Sequence, residues 1–92
     1  ESSYLFLAKI FKEREQEQEQ EINLNNVLVL NPTNDEAIYM LILLKIEQFD
    51  YNEAKELISK FNLVCKSFCS KKNEIEGKLK KITPEKNEKN NN

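Results

Sequence analysis

Asn31-Pro32-Thr33-Asn34-Asp35-Glu36-Ala37 and, one helix length further on, Asp50-Tyr51-Asn52-Glu53-Ala54 are the two stretches that decide how this chain folds. Proline biases the residue before it away from helical geometry, so a helix arriving from the N-terminal side stops at Asn31. Asn34 or Asp35 can then open a new helix, because a short polar side chain at that place accepts a backbone N–H that has no partner inside the helix. Asp50 can do the same for the next helix, and its charge complements the helix dipole. Between the two stretches, Glu36 to Glu47 is apolar almost all round. Such a helix is either enclosed by neighbours or presents a sticky face.

Outward from these turns the apolar pattern repeats itself. Tyr4, Leu7, Ala8 and Phe11, then Leu24, Val27 and Leu30, are answered in the second half by Ile38, Leu41, Ile42 and Leu44, then Ala54, Ile58 and Phe61. The shift that superimposes the halves is 34 residues, the length of a two-helix repeat, so 1–34 and 35–68 read as one unit written twice.

This pattern resembles the tetratricopeptide repeat. That family carries an aromatic, a Leu-Gly pair and a Tyr on its first helix, then an Ala, an aromatic and a Pro on or after its second. The resemblance covers residues 1–68 and has departures. Gln20 and Ile42 stand where small residues belong, Lys45 where a Tyr belongs, Phe61 in a small-residue slot, and Lys66 where Pro32 has its counterpart. What the resemblance implies is an all-α fold of antiparallel helix-turn-helix repeats in a right-handed superhelix, acting as a protein-binding scaffold or adaptor. It further implies a concave groove lined by the first helix of each repeat. Here that places Leu5, Phe6, Lys9 and Lys12 beside Tyr39, Met40, Leu43 and Ile46, an apolar surface with a basic edge. An amphipathic helix or apolar peptide of a partner protein suits such a surface. The family's co-chaperones grip a terminal carboxylate with Lys and Asn side chains. Lys9, Leu5 and Met40 do not match that clamp, so a co-chaperone role would rest on residues outside this chain.

Composition points to helices independently, since one Gly and two Pro in 92 residues leave few breakers. Two repeats bury little core unaided, so a covering element is expected. Residues 69–82 supply a C-terminal capping helix, and 83–92, built of Asn, Lys and Glu after Thr83-Pro84, read as a disordered tail. The Asn and Lys bias of that tail resembles the product of an AT-rich genome. Beginning at Glu1 inside an apolar helix, the chain reads as a C-terminal piece of a larger repeat protein. Its longest apolar run, Ile38 to Leu44, is far shorter than a bilayer requires, so a soluble, intracellular and cytoplasmic protein is expected.

Two segments leave alternatives open. The tract from Glu13 to Glu21 favours helix intrinsically and either extends the first helix or makes the tight turn that the resemblance implies near residues 15 to 17. Further on, Ala54, Ile58, Phe61, Cys65, Phe68, Ile75, Leu79 and Ile82 keep a four-three spacing, with Lys72 as the one violation, that allows one long helix. Ser70, Asn73 and Gly77 weaken helix there, and a break near Ser70 to Asn73 is preferred.

Chemistry beyond binding has little to stand on. Cys65 and Cys69 would share one helical face, where a disulfide is geometrically poor, so both are expected to be free thiols suited to a reducing compartment. With no His and no other Cys, a metal site lacks ligands and no cofactor is expected. No catalytic base near neutral pH and no phosphate loop are present, which argues against an enzyme. The net charge is −2, with acidic groups gathered before residue 57 and lysines after residue 65. Interleaved glutamates and the lack of aromatics after Phe68 disfavour nucleic acid. Self-association into a homodimer through the stripe from Phe61 to Ile82 is the alternative to partner binding.

Overall fold

The computed structural model describes residues 2–82, so the tail expected over 83–92 lies outside the described residues. Five α-helices follow in order: α1 (Ser2–Glu13), α2 (Glu17–Leu30), α3 (Asp35–Glu47), α4 (Tyr51–Val64) and α5 (Lys72–Ile82). A single 3-10 turn, Cys69–Lys71, precedes α5, and the described residues contain no strand. The protein is all-helical.

The tract from Glu13 to Glu21 breaks rather than continuing α1. Glu15 takes a left-handed φ of 59°, its amide donates to the Lys12 carbonyl at 3.0 Å, and the Gln16 amide donates to the Phe11 carbonyl at 2.9 Å. This pair of bonds satisfies carbonyls that the end of α1 would leave open. The same closure recurs 34 positions later at the end of α3. Phe49 has φ 62°, its amide donates to Ile46 at 3.0 Å, and the Asp50 amide donates to Lys45 at 2.9 Å. The period seen in the side chains is thus also present in the backbone. Neither position holds Gly or Asn, which is why the sequence concealed it.

The turn between α2 and α3 forms as expected. The Asn31 amide closes on the Val27 carbonyl at 2.7 Å, and the Asn34 side chain accepts the Ala37 amide at 3.0 Å. Asp50 caps α4 by accepting the Glu53 amide at 3.3 Å.

Packing runs α1 on α2, α2 on α3, α3 on α4 and α3 on α5. Helix α3 is buried on two faces. One face, with Ala37, Met40, Leu41 and Leu44, meets Ala8, Leu24 and Val27. Its other face, with Ile38, Ile42 and Ile46, meets Ala54, Phe61 and Ile75. Three alanines are fully buried, Ala8 in the first hairpin and Ala37 and Ala54 in the second. Gln20 is nevertheless buried at 4% exposure, and Lys45 is satisfied by the Glu21 carboxylate at 2.7 Å. Four residues of the apolar pattern are not core: Tyr4, Leu7 and Leu30 are exposed and Phe11 is half-buried outside both clusters, because no described element covers the outer side of the first hairpin.

Two expectations for the C-terminal third are corrected. The break comes earlier than Ser70, since α4 ends at Val64 and Cys65 is already extended with φ −61° and ψ 148°. The cysteines are not free thiols on one helix; Cys65 and Cys69 are bonded to each other. With the chain leaving helical geometry at Cys65, the geometric objection to that bond no longer applies, nor does the thiol argument for a reducing compartment. No helix among the described residues is long and apolar enough to cross a membrane.

What ends α4 is a tertiary interaction. The Asp35 carboxylate accepts the amides of Lys66, Ser67 and Phe68 at 2.7, 2.7 and 2.9 Å. These three donors replace bonds that a continuing helix would have made, and charge makes each stronger than its helical counterpart. Burial pushes the Asp35 carboxyl up, but the amides of Lys66, Phe68, Ser67 and Glu36 outweigh it and hold its pKa below the ordinary 3.8.

Because the folded pKa is the lower one, this clasp stabilises fully above the ordinary carboxyl range and is lost as pH falls through 3.8 and then through the folded value. Urea midpoints measured from neutral pH downward should therefore fall across that window. Asp35→Asn should be less stable by about 1–3 kcal/mol at neutral pH, with a flatter acid limb. In contrast, Glu15→Gly should raise stability by about 0.5–1 kcal/mol in the same assay, because glycine occupies left-handed backbone without steric cost. Phe61→Ala, in the fully buried core, should cost about 3–5 kcal/mol.

Candidate functional site: a lysine-edged cleft

Helices α1, α3 and α5 enclose a half-open cleft of about 580 Å³. Helical spacing decides who faces it. Tyr39, Leu43 and Ile46 lie at intervals of four and three along α3, as do Glu74, Lys78 and Lys81 along α5. Met40 and Glu47 of α3 and Lys9 and Lys12 of α1 complete the lining.

The floor and the rim differ in kind. Met40 and Ile46 are only 6% and 2% exposed, so they form a floor under Tyr39 and Leu43, the half-buried apolar groups a ligand would touch. Around them stand four lysines and two glutamates. Lys9 is held by Glu36 at 2.7 Å, whereas Lys12, Lys78 and Lys81 take no ion pair among the described residues. Lysines outnumber glutamates on the rim, and three of them make no direct ion pair among the described residues.

Tyr39 joins the walls. Its hydroxyl donates to the Glu74 carboxylate at 3.1 and 3.2 Å, tying α3 to α5. Burial raises the Tyr39 pKa, and the Glu74 carboxylate raises it further by accepting the hydroxyl proton and by its charge. The hydroxyl thus stays a donor through the ordinary working range. On its other side the ring lies 5.6 Å from Phe68 and the Lys71 ammonium sits 5.7 Å from its centroid. One side chain thereby contacts the linker before α5 and α5 itself.

Of the residues expected to form a partner-binding surface, Lys9, Lys12, Tyr39, Met40, Leu43 and Ile46 come together in the cleft. Leu5 instead packs half-buried against the first core, and Phe6, 64% exposed, lies outside the lining. Sequence reasoning missed Glu47 and the α5 wall. The spacing of Glu74, Lys78 and Lys81, beside the apolar stripe of Ile75 and Leu79, marked a polar helix face, but nothing in it stated where that face would point. Among the described residues there is no cluster of His, Cys, Asp or Glu able to hold a metal ion.

No family model matches the chain, and comparison with curated proteins and with solved structures gives no match either. What it does has to be argued from the cleft.

Tyr39→Phe keeps the ring and removes the bond to Glu74. It should lower stability by only about 0.5–1.5 kcal/mol, yet raise amide exchange selectively in α5, measured by native-state hydrogen exchange.

Proposed function

We propose that this protein is a non-catalytic interaction scaffold, a pair of tetratricopeptide-like repeats closed by α5, whose cleft receives a helical segment of a partner protein. The segment would present an apolar ridge to Tyr39 and Leu43 and acidic side chains to the lysines on either side. The observation that carries this reading is the pairing of an apolar floor with Lys12, Lys78 and Lys81, which make no direct ion pair among the described residues. Buried apolar contact supplies affinity, and charge across the rim supplies orientation and discrimination. The recurrence of one helix closure at Glu15 and Phe49 supports the repeat reading, since it lies in the backbone and is independent of the side-chain pattern.

A synthetic amphipathic peptide of about 14 residues, four helical turns, tests the reading. It carries leucines at positions i, i+3, i+4 and i+7 with glutamates flanking them. Calorimetry should show binding that weakens with salt, and roughly tenfold weaker binding, about 1.4 kcal/mol, to Leu43→Asp. The double variant Lys12→Glu/Lys78→Glu should lose affinity and most of the salt dependence. A peptide with lysines in place of the glutamates should bind no better than a scrambled control. Equal binding of both peptides would remove the charge argument, and binding of neither would remove the cleft. Light scattering on the same samples excludes pairing of the chain with itself as the source of any signal.

A further inference from the structure

The segment between α4 and α5 is written for two different structures. Phe61, Cys65, Phe68, Ile75 and Leu79 keep helical spacing, interrupted only at Lys72, with neither Pro nor Gly between Phe61 and Glu76, a pattern compatible with one unbroken helix. The structure instead stops α4 at Val64 and joins Cys65 to Cys69. Side chains four apart on a continuous helix project side by side and do not converge as a disulfide requires. The cystine and the unbroken helix therefore exclude each other.

The break is also what builds the cleft. It turns the amides of Lys66, Ser67 and Phe68 onto Asp35, sets the Phe68 ring beside Tyr39, and lays α5 on α3 with Ile75 buried and Glu74 on the Tyr39 hydroxyl. A continuous helix would carry α5 along the α4 axis and away from α3. Glu74, Lys78 and Lys81 would leave the cleft with it.

We propose that the Cys65–Cys69 bond is a redox latch: reduction lets α4 extend through residues 65–71 and withdraws the α5 wall from the cleft. The reductant is a small thiol of the glutathione or dithiothreitol class. Its thiolate attacks one cystine sulfur, forming a mixed disulfide and expelling the other cysteine as a thiolate that takes up a proton. A second thiol group then resolves the mixed disulfide, so the protein gains two S–H groups and the reductant leaves as its own disulfide. Two electrons pass to the protein, and no other reactant is needed. Asp35 and the Ile75 contacts oppose the extension, so the latch sets the balance between two arrangements of one segment.

The regulatory consequence rests on the cleft reading above, but the switch can be followed without a ligand. NMR on the full chain, oxidised and reduced by dithiothreitol with thiols counted by mass, reports the Tyr39–Phe68 ring contact and the backbone shifts of residues 65–68. In the oxidised protein the ring contact is present and the shifts are non-helical. Reduction should remove the contact, move those shifts to helical values and deepen the helical circular dichroism. The Cys65→Ser/Cys69→Ser variant should match the reduced protein under both conditions. The glutamate-flanked peptide should bind the reduced form at least roughly fivefold more weakly. Retention of the ring contact and non-helical shifts after reduction overturns the latch, as does release of α5 with falling helicity, or failure of the bond to form under mild oxidant. If the NMR change occurs but the peptide binds neither form, the latch stands and the cleft reading fails.

Discussion

The carboxylate of Asp35 decides where the last third of this protein lies. By accepting the amides of Lys66, Ser67 and Phe68 it provides a destination for the chain as it leaves α4, and that destination is the first turn of α3 itself. A helix ends where its backbone groups find better partners than the next turn would give them, and a charged acceptor is such a partner. From this anchor follow the stacking of Phe68 on Tyr39, the bond from Tyr39 to Glu74, and the presence of α5 beside the cleft. The same fold would have an open flank if Asp35 faced water.

Helix α3 makes that anchor effective because it is the common wall of both cores. Seven of its thirteen residues are buried, distributed round the helix and divided between the two apolar clusters. Apart from Ala37, each of these side chains contributes roughly 1.5–3 kcal/mol when removed from water, so α3 is a firmly held reference for the other helices. Leu28, Tyr39 and Leu57 touch both clusters and join them. At the ends of α1 and α3 the left-handed residues Glu15 and Phe49 let the chain reverse within three residues, which sets each hairpin's second helix against its first.

Most of the helical plan was legible in the residues, and the reasons are local. Asn31-Pro32 stops α2, Asn34 and Asp50 cap the helices that follow, and the all-round apolar α3 reads as either enclosed or presenting a sticky face. The turn at Arg14 to Gln16 was harder, because Glu and Gln favour helix and Glu15 is not a residue that signals left-handed backbone. Packing against α2 overrode that preference. The exposed Tyr4, Leu7 and Leu30 show the reverse: an apolar pattern states which residues can be buried, not whether something covers them.

The cleft divides along the same line. Its α1 and α3 sides follow from the residues alone, since helical spacing forces Tyr39, Leu43 and Ile46 onto one face of α3 and places Lys9 and Lys12 a turn apart on α1. Its α5 wall and the Cys65–Cys69 bond depend on contacts between distant segments of the chain. The stripe from Phe61 to Leu79 is compatible with one helix or two, and periodicity cannot choose between them. The break is held by a carboxylate more than thirty residues earlier in the chain together with the Cys65–Cys69 bond, and contacts such as those of Asp35 exist only once the two segments have been folded together.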